Sequence, residues 1–156
     1  MERLTGPHQF NMDGWISCAP FERLLHIKIV EASHGLATLT MPFHIDFAQG
    51  GGLMHGGALV GLADTAVVMA IKSMVPLQTH FATISLETKF LYPVKQGVVT
   101  ARARVVNREG ETLRGEATVY DEAKRPVMEF SSVFRIAKDT KIRDISYDSE
   151  QNGGTL

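Results

Sequence analysis

Between Gln49 and Asp64 the chain reads Gln-Gly-Gly-Gly-Leu-Met-His-Gly-Gly-Ala-Leu-Val-Gly-Leu-Ala-Asp, a stretch whose residue types and order suit chemistry on a carbonyl. Asp64 is the sole charge in an otherwise apolar run from about Ala58 to Ile71, and a carboxylate is seldom buried unless it is paired or used. Gly56 and Gly57 stand where a helix would begin, so unpaired N–H groups and the positive end of the helix dipole would favour negative charge developing on a bound oxygen. With no Cβ, they let a ligand approach the backbone. Each of these residues also has a plain structural reading. Asp64 could hydrogen-bond Thr65 or a neighbouring strand, His55 could satisfy backbone groups at the helix entry, and Gln49 could be an ordinary loop amide.

Spacing adds a constraint. Asp64 lies eight residues after Gly56. At 1.5 Å per residue this is ~12 Å along one helix, too far for the carboxylate to act on a carbonyl held at Gly56 N–H. Two such helices lying antiparallel across a two-fold axis would bring Gly56 of one chain to Asp64 of the other. A catalytic reading therefore requires a homodimer, whereas a structural Asp64 does not.

Other chemistries lack their signatures. The 156 residues contain no G-x-S-x-G, C-x-x-C, H-E-x-x-H or phosphate-loop pattern, and the six histidines do not cluster, so neither a metal nor a cofactor is expected. His44-Ile45-Asp46 is too short to make a metal site. The balance of 16 Lys+Arg against 17 Asp+Glu, net −1, argues against nucleic acid as a partner. The single Cys18 cannot form an intramolecular disulfide, and it sits in a loop with no base nearby in sequence. The start has no apolar signal-peptide core, which points to the cytoplasm. The least charged stretch, 48–71, is crowded with glycine in its first half, and its apolar part is too short for a membrane span.

The elements that must position these groups follow from period and punctuation. Residues 17–20 read as a loop entering a short helical turn at 21–25, and alternation on either side of Ser33-His34-Gly35 predicts a hairpin. A helix is expected over 56–74, stopped by Pro76, with Met69 and Met74 as core filler. Gly61 inside it costs ~1 kcal/mol relative to Ala, which suggests the close approach of another backbone. Period-2 patterning then predicts strands at 81–91, 98–107, 112–120 and 126–136. Their short connections require antiparallel pairing. The order β-β-α-β-β-β-β gives an α+β fold, an antiparallel sheet of about six strands curled around one long apolar helix. The polar composition after Lys138 reads as a loosely ordered tail.

Pro20-Phe21, the first hairpin, His55-Gly56-Gly57 followed by Leu62-Ala63-Asp64-Thr65, and the strand from Ala82 to Pro93 with Gly97 together resemble the hotdog-fold acyl-CoA thioesterases of the phenylacetate-degradation (PaaI-like) group, within the 4-hydroxybenzoyl-CoA thioesterase superfamily. The resemblance covers roughly 20–136. It implies side-by-side dimers with a continuous sheet, often paired into dimers of dimers, and an acyl-CoA substrate cleaved to an acid and free CoA. It also implies Asp64 as nucleophile or general base, Gly56 N–H as the group polarising the carbonyl, and His55 and Gln49 as the side chains positioning the thioester or the attacking water. PaaI-like members mostly carry Asn where Gln49 stands, and some relatives have Ser or Thr where this chain has Val68. The domain expected is 20–137, between an N-terminal extension 1–19 and the tail 138–156. The alternative is a hotdog protein that binds or senses acyl-CoA without cleaving it. Lys89, Lys95, Arg108, Lys124 and Arg125 are the cations considered for the CoA phosphates.

Overall fold

A computed structural model describes residues 4–8 and 10–137. The predicted tail 138–156 lies outside them. The elements run α1 (Pro20–Leu24), β1 (Lys28–Ser33), β2 (Leu36–Pro42), a short 3-10 helix (Ile45–Phe47), α2 (Gly56–Lys72), β3 (Phe81–Phe90), β4 (Val98–Glu109), β5 (Thr112–Tyr120) and β6 (Pro126–Ile136). Every pairing is antiparallel, in the order β1-β2-β4-β5-β6-β3. This is the expected hotdog arrangement of six strands wrapped round a long helix.

The first hairpin turns on His34 and Gly35, both at positive φ (51° and 76°), the twist that suits a two-residue connection. From there the period-2 pattern becomes burial. Ala37, Leu39 and Met41 of β2, Val99, Ala101 and Ala103 of β4, and Leu113, Ala117 and Val119 of β5 all face inward. They meet Leu59, Leu62, Ala63, Ala66, Met69 and Ala70 of α2, which rests chiefly on β2, β4 and β5.

α2 ends two residues before the predicted Met74. Ser73 Oγ donates to Ala70 O (2.6 Å) and accepts from Gly35 N–H (2.8 Å), tying the helix end to the first hairpin. Beyond that stop Met74 is 42% exposed, so of the two methionines only Met69 is core filler. Two features were not foreseen. Trp15 is buried in the core, its indole N–H donating to Lys72 O (2.9 Å) while Lys72 Nζ donates to Trp15 O (3.0 Å). Burial of Lys72 pushes its pKa down, partly countered by Glu22. The room at Gly61 is taken by the side chains of Phe21 in α1 and of Leu25, the residue that caps its C-terminus, rather than by another backbone.

β3 comes straight after the helix, yet it pairs with the last strand and forms an outer edge of the sheet. It places Thr83 beside α2 and leaves Ile84, Leu86 and Phe90 exposed. Among the described residues no helix is long and apolar enough to cross a membrane.

Candidate active site

The glycine-rich approach to α2 is an ordered miniature hairpin. His55 N–H donates to Phe47 O (2.7 Å), Gln49 N–H to Leu53 O (2.8 Å) and Gly52 N–H to Gln49 O (2.9 Å), with Ala48 bridged to Met54 between them. Met54 N–H donates to Val94 O (3.0 Å), which fixes the loop to the chain beyond β3. Gln49 and His55 therefore stand two rungs apart on one small ladder. Gln49 Oε1 accepts from Gly51 N–H, leaving the amide NH2 as the group it can offer a ligand.

His55 is the N-cap of α2, its Nδ1 accepting from Gly57 N–H (2.8 Å). The cap determines the tautomer. With Nδ1 used as acceptor, the proton of the neutral ring sits on Nε2, so the exposed edge of the imidazole is a donor. The structural reading of His55 is therefore part of its geometry, and one donor remains for a ligand. Gly56 follows as the first helical residue, and no acceptor meets its N–H among the described residues. The absent side chain serves a neighbour too. A Cβ at Gly56 would lie 3.0 Å from Cζ of Phe90, whose ring, 53% exposed, stands beside the helix start from the end of β3.

Asp64 is half-buried on the one stripe of α2 that the sheet leaves uncovered, with Gly57, Gly61 and Val68 at spacings of four, three and four residues. Thr83 Oγ1 lies 3.0 Å from Oδ1 and 3.2 Å from Oδ2, donating to the carboxylate. Thr65, the other partner considered, is buried. Burial raises the Asp64 pKa above the ordinary carboxylate range, and the Thr83 hydrogen bond partly offsets this by favouring the charged form. Because α2 is unbroken from Gly56 to Lys72, the ~12 Å between the helix start and Asp64 holds in the folded chain. One chain thus presents an acid half and a donor half that do not meet.

The residues so arranged are found in a known setting. The family model of the thioesterase superfamily matches residues 51–127. ComA2 of Bacillus subtilis (strain 168) is 34% identical over 103 residues, covering 65% of this chain and 81% of that protein. The chain belongs to the thioesterase superfamily. Among solved structures, the Escherichia coli PaaI protein from the phenylacetic acid degradation operon superposes with a TM-score of 0.71 at 25% identity, over 76% of this chain and 85% of that one. A variant of the phenylacetic acid degradation protein PaaI from Thermus thermophilus gives 0.69 at 29%, over 75% and 99%. This thioesterase is a PaaI-like hotdog protein and a thioester hydrolase. The matched span contains His55, Gly56 and Asp64, while Gln49 lies just before it.

Sequence reasoning did not give Thr83 or Phe90 a role. Their strand was legible, but nothing in its pattern says which helix residue each will touch. Among the cations considered, Arg125 is held in place, its backbone N–H and Nε donating to Asp121 (2.9 and 3.2 Å) and its guanidinium 4.3 Å from the centre of the Tyr92 ring. Cys18 fits an inert thiol, donating weakly to Ile27 O (3.4 Å) with a pKa raised chiefly by burial.

Proposed function

We propose that this thioesterase hydrolyses an acyl-CoA in a site shared by two protomers. Asp64 comes from one, while Gly56 N–H, His55 and Gln49 come from its partner. Water oxygen ends on the acyl carbon, the C–S bond breaks and the thiolate leaves as CoA. Asp64 either attacks the carbonyl or takes the proton from the attacking water, and Gly56 N–H stabilises the oxyanion. The exposed imidazole edge of His55 and the amide of Gln49 position the thioester or the water. The observation that carries this reading is the half-buried Asp64, held by the Thr83 hydroxyl, on the same helix as a helix-start N–H that no acceptor among the described residues meets, in a thioester hydrolase fold. Among the described residues β3 is paired on one side only and carries exposed Ile84, Leu86 and Phe90, which supports side-by-side dimers through that strand, and a dimer of dimers would build on the same unit. The thioesterase unit is taken as 20–137, acting in the cytoplasm.

The test is a free-thiol assay on a panel of aliphatic and aromatic acyl-CoAs. Wild type should cleave at least one, and Asp64→Asn should lower kcat by at least ~10²-fold with the fold retained. Tight binding of acyl-CoA without turnover by wild type would replace this reading with that of a sensor.

A further inference from the structure

The uncovered stripe of α2 has walls as well as a floor. On one side a Cβ at Gly61 would lie 3.3 Å from the Phe21 ring and 3.3 Å from Leu25 Cδ1. Leu25 is buried and anchors α1, whereas Phe21 remains 55% exposed with one ring edge seated in the Gly61 notch. On the other side Thr83 of β3 reaches Asp64. Gly61 precedes Asp64 by three residues on the same face, ~4.5 Å along the axis, which places the ring about one turn from the carboxylate.

The stripe is also chemically uniform. Around Asp64, Gly57, Val60, Gly61 and Val68 carry no hydrogen-bonding side chain. Lys72, two turns on, is committed to Trp15 through the carbonyl at 3.0 Å and the indole ring at 4.7 Å. On this chain's side of the site, a hydroxyl or carboxylate on a bound acyl group would lose water and meet only Thr83, already engaged with Asp64, a cost that alkyl and phenyl groups avoid.

We propose that Phe21 is a specificity-determining residue, its ring in the Gly61 notch limiting the size of the acyl group, and that the acyl groups accepted are apolar, straight-chain or unsubstituted aryl. This rests on the reading of Asp64 as the catalytic carboxylate. Phe21 suits such a role because it touches the stripe at Gly61 and is otherwise 55% exposed, so trimming it removes little core packing.

The experiment measures kcat/KM of the full chain for hexanoyl-, decanoyl-, phenylacetyl-, 3-hydroxyhexanoyl- and succinyl-CoA in wild type, Phe21→Ala, Phe21→Leu and Asp64→Asn, with oligomeric state checked by light scattering. Phe21→Ala should raise the decanoyl-to-hexanoyl ratio about tenfold, with Phe21→Leu between it and wild type, and the hydroxylated and succinyl esters should be roughly tenfold or more poorer than hexanoyl. An unmoved ratio, a uniform loss on all esters accompanied by dissociation, or efficient succinyl-CoA cleavage would overturn the proposal. If Asp64→Asn is inactive while the ratio stays put, only the role of Phe21 fails. If Asp64→Asn stays active, the shared-site reading fails first.

Discussion

Thr83 is the residue through which a strand acts on the chemistry of a helix. Its hydroxyl donates across both oxygens of Asp64 and opposes the upward pull of burial on the carboxylate pKa. In the proposed mechanism Asp64 works ionised, so activity should fall as pH drops through the pKa of this group, which burial raises. Thr83→Val removes the effect that lowers the pKa and leaves the one that raises it. Its acid limb in kcat/KM should therefore move to higher pH, and Thr83→Ser should restore the wild-type limb. A Thr83→Val limb at wild-type pH, with only an overall loss of rate, would reduce Thr83 to packing. At this scale the sequence made Asp64 conspicuous as a lone charge in an apolar run. Its partner was invisible, because a threonine in a strand rich in threonine and serine carries no mark.

At the scale of elements, the start of α2 and the end of β3 are coupled through Gly56 and Phe90. A Cβ placed 3.0 Å from Cζ and 3.1 Å from Cε1 forces the exposed ring to swing or the helix start to shift. Gly56→Ala should thus lower kcat about tenfold or more, with little change in thermal stability, since the displacement falls at the proposed oxyanion donor and at the surface. Phe90→Ala in the same background should recover part of that loss, with a coupling of ~1 kcal/mol in the double-mutant cycle. Strict additivity of the two changes would show that the glycine is required for another reason. The strands themselves were readable from alternation, and β5 and β6 fall on their predicted bounds. The helix end was not, since Ser73 stops it by bonds to Ala70 and Gly35, the second of which is a tertiary contact.

For the whole molecule, the unbroken α2 means that the proposed mechanism requires a site shared by two protomers, and mixed dimers test it. An Asp64→Asn chain and a Gln49→Ala, His55→Ala chain should each be inactive alone. In a mixed dimer one site receives both defects and the other draws Gln49 and His55 from the first chain and Asp64 from the second. Random exchange makes about half the dimers mixed, each with one good site, so activity should recover to about a quarter of wild type by the symmetry of the sites. Exchange verified by mass spectrometry without recovery would mean that each site is built within one chain.

The sequence by itself determined the local periods, the turns and the separation of Gly56 from Asp64, because these depend on residues close together in the chain. It also singled out the stretch from Gln49 to Asp64 as the candidate site, through a buried-type segment bearing one charge and a glycine-rich helix entry. Only the tertiary structure decided that β3 crosses to the far edge to pair with β6, that Thr83 faces Asp64, that Phe90 stands at Gly56, and that Phe21 and Leu25 take the space at Gly61. Each of those is a contact between residues distant in sequence, selected by how the sheet curls round the helix. No spacing along the chain encodes that curvature.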